Sequence, residues 1–100
     1  MAEPFTALVI YPTTADAQTR QADNLIRLVA EQVRSLAGFR GARVFLSEDG
    51  KNLVTLTEWR DRESFQKFRE SEFGRAATEL VAELHPIAYW LRQHAAVEAP

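Results

Sequence analysis

Three short segments of this chain carry apolar side chains on both of their alternating sets of positions, and that limits the available folds more than any other feature. In Phe5–Tyr11, the set Phe5, Ala7, Val9 and Tyr11 alternates with Leu8 and Ile10. In Leu53–Trp59, the set Leu53, Thr55, Thr57 and Trp59 alternates with Val54 and Leu56. In Ile87–Gln93, Ile87, Tyr89 and Leu91 alternate with Ala88 and Trp90. Successive strand side chains point to opposite faces. An antiparallel sheet with one wet face shows polar residues at every second position. These strands therefore predict a sheet that needs cover on both sides.

One cover comes from helices. After Pro12, Thr14 or Asp16 can cap a helix whose stripe is Ala22, Ile26, Val29, Val33 and Leu36, with Gly38 as its left-handed stop. Ala42–Ser47 reads as a strand joined to the Leu53 strand by the loop Glu48-Asp49-Gly50-Lys51, in which Gly50 takes positive φ. Asp61 caps a second helix, with Phe65 and Phe68 on one face. Its spacing restarts near Ser71 and Gly74 with Phe73, Ala76, Ala77, Leu80 and Leu84, and His85-Pro86 ends it. The order β-α-β-β-α-β predicts an α+β, ferredoxin-like fold: an antiparallel sheet with two helices on one face. Right-handed crossovers place the first and third strands side by side in its centre. The second face, with Leu8, Ile10, Val54, Leu56 and Trp90, is left uncovered. A large contiguous apolar patch on a small protein marks an interface. The expected cover is a second copy of the chain, a homodimer joined through the sheet faces by a two-fold axis.

One hundred residues suffice for one domain, expected over 1–100 with its core at about residues 5–94. A chain of this size buries only roughly 60–70% of its unfolded surface, so self-association also adds stability. The net charge of -2, with ten scattered Arg and two Lys, predicts no nucleic-acid partner. No cysteine is present, which excludes disulfides and thiolate metal sites. Without a charged leader or a long apolar run, the expectation is no membrane association and a cytoplasmic location. The two imidazoles, His85 and His94, lie at a helix end and near the chain end. No His/Asp/Glu set has metal-ligand spacing, and no nucleophile-elbow motif occurs.

Several stretches together resemble a known family. They are Gly38-Phe39-Arg40-Gly41-Ala42 entering a strand, Ser47-Glu48-Asp49-Gly50, and Val54-Thr55-Leu56-Thr57-Glu58-Trp59 followed by an acidic helix start with Ser64-Phe65. From Phe5 to about Leu91 the chain resembles the antibiotic biosynthesis monooxygenase family, whose members form dimeric α+β barrels. The resemblance implies a cofactor-independent monooxygenase, using neither metal nor flavin, that oxidises a quinol or phenolic polycyclic aromatic with O₂. The alternative is a non-catalytic dimeric barrel that binds a small hydrophobic molecule or serves as a stress or assembly module. Trp59 matches the family's tryptophan, but quinone-forming members carry an Asn where this chain has Thr55 and a Tyr where it has Phe65. Haem-degrading relatives use a Trp and a His where this chain has Phe68 and Thr78, neither able to ligate iron.

The resemblance makes Trp59 and Thr55 the candidate catalytic residues, with Thr57, Phe65, Phe68, Tyr11 and Tyr89 lining a small-molecule pocket. Thr55, Thr57 and Trp59 share one strand face; they either hold substrate or are strand formers beside a core indole. Tyr11 and Tyr89 either aim their hydroxyls into that pocket or bury their rings with the oxygen at its rim. Arg69 and Arg75 on the second helix either draw an anionic substrate or are solvated helix charges.

Overall fold

The structure, a computed structural model, describes residues 3–100. Met1 and Ala2, and the Leu80 side chain assigned above to the second helical stripe, lie outside the described residues. The elements are β1 (Phe5–Pro12), α1 (Gln18–Leu28, continued by a π-helical turn Val29–Val33), β2 (Phe39–Leu46) and β3 (Asn52–Trp59). They are followed by α2 (Arg62–Glu70), α3 (Glu72–Val81, running into a 3₁₀ turn Ala82–Leu84) and β4 (Ile87–Leu91). The sheet order is β2-β3-β1-β4 with every neighbour antiparallel. The fold is the α+β, ferredoxin-like arrangement, with β1 and β3 central.

Local chemistry sets the joints. Gly38 has φ +84°, and a Cβ there would lie 2.1 Å from the Ser64 Oγ. The turn into β2 thus requires glycine twice, for its left-handed backbone and for the approach of α2. β2 begins at Phe39 rather than Ala42 because Phe39 pairs with Trp59, with a bulge between Phe39 and Gly41. Gly50 takes φ +76° in the β2–β3 hairpin. The buried Gln18 amide donates to the carbonyls of Ser47 (3.0 Å) and Asn52 (2.9 Å), tying the start of α1 to that hairpin. Asp61 caps α2 by accepting from the Ser64 N–H (2.8 Å) and hydroxyl (2.7 Å). These bonds to the anion hold its carboxyl at about 2. Ser71 makes the break: its hydroxyl donates to the Phe68 carbonyl (2.5 Å) and accepts from the Gly74 N–H (3.1 Å).

The helices cover the face bearing Phe5, Ala7, Leu53 and Trp59, all buried. Two expectations are corrected here. The stripe of α1 runs through Leu25, which packs on the core, while Ile26 is 51% exposed. The Arg34 N–H donates to the Val29 carbonyl five residues back. Leu25, Val29 and Val33 are spaced four residues apart, so they form one helical stripe onto the core and leave Ile26 to its side. On β4, Trp90 pairs with Ala7 and Tyr89 with Leu8. Trp90 therefore joins the helix-covered face, and Tyr89 the opposite one.

That opposite face runs through the pairs Leu8–Leu56, Ile10–Val54, Val54–Phe45, Leu8–Tyr89 and Ile10–Ile87. Leu8, Ile10, Val54 and Leu56 are half-buried, whereas Phe45, Ile87 and Tyr89 are 50–51% exposed. Within one chain the outer face is an extended apolar surface bordered by Arg43, which pairs with Leu56.

Candidate functional site

The helix-covered face of the sheet is built in four transverse rows, and the sizes of their side chains create a cavity. Phe39, Trp59 and Phe5 form the row at one end, and Leu46, Leu53 and Tyr11 the row at the other. Between them run Ala42, Thr57, Ala7 and Trp90, then Val44, Thr55, Val9 and Ala88. The large end rows meet the helices in two separate core clusters, one around Trp59 and Phe65 and one around Tyr11 and Leu53. Apart from Trp90, which packs on Phe65 of α2, the side chains of the middle rows are small and leave space beneath the helices. The result is a cavity of about 230 Å³ between sheet and helices, partly open to solvent and roofed by residues including Leu25, Val29, Phe65, Phe68 and Val81.

Seven of its lining residues bring polar groups: Tyr11, Thr55, Thr57, Thr78 and Arg69, with the indole N–H groups of Trp59 and Trp90. Two of these hydroxyls are committed within the protein. The Trp59 indole N–H donates to the Thr57 Oγ1 (3.1 Å), and the Thr78 hydroxyl donates to the Gly74 carbonyl (2.9 Å). Tyr11 is buried, and that burial raises its phenol above the ordinary value near 10, with the Thr55 hydroxyl pulling the other way. Tyr11 thus keeps its proton through the neutral range and stands beside Thr55 as a donor. The cavity offers an apolar slot with a pair of hydroxyls on one wall.

The candidate residues sort as follows. Tyr11, Thr55, Thr57, Trp59, Phe65 and Phe68 all line the cavity. Tyr89 does not, since it stands on the outer face beside Leu8; its assignment to the pocket is corrected. Trp59 lines the cavity with its ring, stacked on Phe68 with centroids 5.4 Å apart, and its N–H is already bonded, so the indole is core and wall rather than a free donor. Phe73 is 45% exposed and leaves the cavity unfilled. Trp90 and Ala88 belong to the lining and were not foreseen, because β4 is apolar at five consecutive positions and alternation alone cannot tell its two faces apart. The pairing with β1 decides it.

Neither His85 nor His94 reaches the cavity. His85 instead adopts a left-handed conformation (φ 53°) as the stop after α3. Among the described residues no three His, Asp or Glu side chains gather as a metal site. No helix of the described residues is long and apolar enough to cross a membrane. A second cleft of about 710 Å³ lies outside the sandwich, beside Arg62, Glu63 and Arg92. Its charged, mixed-sign walls suit water better than an aromatic ligand.

Comparison with known proteins gives a consistent result. The family model described as antibiotic biosynthesis monooxygenase matches residues 4–82. Tetracenomycin-F1 monooxygenase of Streptomyces glaucescens is 27% identical over 62 residues, which cover 62% of this chain and 55% of that enzyme. The match thus spans about half the length of that relative. Among solved structures, SnoaB, a cofactor-independent oxygenase from Streptomyces nogalater, superposes with a TM-score of 0.82 at 11% identity, covering 98% of this chain and all of the other. A Streptomyces coelicolor monooxygenase in complex with nanaomycin D gives 0.78 at 20% identity, covering 98% of this chain and 94% of the other. A Mycobacterium tuberculosis protein gives 0.79 at 20% identity, covering 96% and 100%.

Proposed function

The chain belongs to the antibiotic biosynthesis monooxygenase family, and from that premise we propose that it is a cofactor-independent monooxygenase of a phenolic or quinol aromatic. One observation carries the reading: an apolar cavity of about 230 Å³ that holds the Tyr11 and Thr55 hydroxyls side by side. An engineered apolar cavity of about 150 Å³ accommodates benzene. By that measure the substrate is about two fused rings, smaller than the polycycles first expected.

In the proposed reaction, the substrate binds as its phenolate with the oxygen on Tyr11 and Thr55. Two neutral donors stabilise that anion in an apolar site more strongly than in water. The phenolate gives one electron to O₂, and the resulting aryloxyl radical and superoxide combine to form a C–O bond. Cleavage of the O–O bond with proton uptake releases water, and loss of the ring proton leaves the quinone. One O₂ is consumed, one oxygen atom enters the product and the other leaves as water. Thr55 offers one hydroxyl where quinone-forming members have an amide, so Tyr11 carries more of the anion stabilisation.

We also propose that two copies pair through the outer sheet face. Leu8, Ile10, Phe45, Val54, Leu56, Ile87 and Tyr89 form the surface to be covered.

The direct test is O₂ uptake with 1-naphthol, read against quinone formed. One O₂ per quinone above the protein-free rate is expected, with a loss of roughly 100-fold in Tyr11→Phe, the scale for removing one donor to a developing anion. The departures at Thr55 and Phe65 and the committed Trp59 N–H favour a second reading, a barrel that binds such aromatics without oxidising them. Binding of 1-naphthol with no O₂ uptake above background would decide for that reading.

A further inference from the structure

Among the described residues the cavity has one charged lining residue, Arg69, and its setting differs from that of the other arginines on the same helices. The guanidinium of Arg75 donates to the Glu70 carbonyl (3.0 Å). Arg62 lies over the Phe5 ring, but beside Asp61 and Glu63 in the charged outer cleft. Arg69 has no ion pair or hydrogen bond among the described residues, because the two ion pairs found there are Arg60–Asp61 and Lys67–Glu63. It reaches from the end of α2 across to β4, where its guanidinium carbon lies 5.1 Å from the Trp90 ring centre. Both side chains are partly solvent-exposed and both line the cavity, so together they form one rim of it. A guanidinium held over a ring by its flat face keeps its edge donors free for a carboxylate.

The sheet register also gives the span. Thr55 and Trp90 stand one row apart along the strands and two strands apart across the sheet. With a rise of about 3.3 Å per residue and a strand spacing of about 4.8 Å, their backbones are about 12 Å apart. The donors Tyr11 and Thr55 lie at one end of that diagonal and Arg69 at the other.

We infer that Arg69, seated on Trp90, is a specificity residue that selects substrates carrying a carboxylate or other anionic group at the end of the ring system remote from the hydroxyl. The inference rests on the proposed aromatic pocket. It adds the charge and the geometry of the ligand that the pocket prefers.

The test compares three naphthalene probes by titration calorimetry with the full chain, Arg69→Gln and Arg69→Lys, each checked by circular dichroism. The probes are 6-hydroxy-2-naphthoate, with its two groups at opposite ends, 3-hydroxy-2-naphthoate, with them adjacent, and neutral 2-naphthol. The 6-hydroxy acid should bind about five-fold more tightly than 2-naphthol, the upper end for an exposed ion pair. Arg69→Gln should erase that advantage while weakening 2-naphthol much less, and Arg69→Lys should keep part of it. The adjacent isomer should gain less. Equal binding of the 6-hydroxy acid and 2-naphthol, or equal losses for both in Arg69→Gln, overturns the role of Arg69 while the aromatic pocket stands. An equal gain for the adjacent isomer overturns the geometry. Binding of none of the probes overturns the pocket reading itself.

Discussion

Replacing Ala42 by Leu tests whether the middle rows of the sheet leave real empty space. Ala42 sits on β2 opposite Thr57, half-buried, and its side chain lines the cavity. Leucine adds three carbons that can extend into about 230 Å³ of unfilled volume. At about 0.8 kcal/mol per buried carbon the gain is at most about 2.4 kcal/mol. Fixing the leucine rotamer removes about 0.5–1 kcal/mol, and incomplete burial removes more, leaving a stabilisation of about 1 kcal/mol. For a domain of this size that raises the melting temperature by about 4–8 °C, at fixed protein concentration because association shifts the midpoint. The same substitution should abolish binding of 2-naphthol measured by calorimetry. If the rows were already packed against the helices, the extra carbons would instead cost about 1–3 kcal/mol by overpacking. A lower melting temperature with intact naphthol binding would refute the cavity. The sign of the change decides the matter.

Leu56→Asp places a charge in the middle of the outer face; sedimentation at micromolar concentration should shift from twice the chain mass to the chain mass, and a wild-type chain that sediments as a monomer removes the basis for sheet-to-sheet pairing. Trp59→Phe keeps most of the apolar burial but leaves Thr57 without its donor, so stability should fall by about 1–3 kcal/mol in chemical denaturation; 2-naphthol affinity should fall little, because the indole N–H is already bonded inside the protein. Tyr11 binds its proton more tightly folded than unfolded, so stability is full below pH 10 and declines as pH rises beyond it; Tyr11→Phe should abolish that alkaline decline in melting curves. Asp61 binds its proton less tightly folded than unfolded, so its cap is intact above about pH 4 and is lost as pH falls toward about 2; Asp61→Asn should flatten the acid limb of the stability profile over that window.

The joints of this fold are legible in the sequence because each rests on a local rule. Gly50 in the hairpin, Asp61 at a helix start, Ser71 at the helix break and Gly38 before a strand need no distant partner to be recognised. Central placement of β1 and β3 follows from connection handedness. The facing of β4 is not local. IAYWL is apolar throughout, so period-two alternation assigns no face, and the pairing of Ala7 with Trp90 settles it only after the register is known. One residue of slip exchanges Trp90 for Tyr89 in the site. The place of Ile26 is hidden for a related reason: Leu25 and Ile26 both fit helical spacing between Ala22 and Val29, and only packing selects Leu25. Thr55, Thr57 and Phe65 are legible through the family resemblance of the Val54–Trp59 and Ser64-Phe65 stretches, since alternation alone leaves β3 apolar on both faces. Whether the Trp59 N–H was free depended on a hydrogen bond to its own strand neighbour, which spacing cannot reveal.

The same residue sizes that make the site also weaken the chain. The space of about 230 Å³ between sheet and helices leaves its lining side chains without the packing contacts that a filled core would supply. Larger residues at Ala7, Ala42 and Ala88 would recover them at the expense of the ligand space. The outer face offers compensation that leaves the cavity untouched, because its side chains point away from the helices. Burying Phe45, Ile87 and Tyr89, each half-exposed in a single chain, against a second copy would yield about 1 kcal/mol or more per side chain. The proposed pairing would therefore couple the two faces of the sheet energetically. An apolar outer face would support pairing, and pairing would let the inner face keep its small residues around Tyr11 and Thr55.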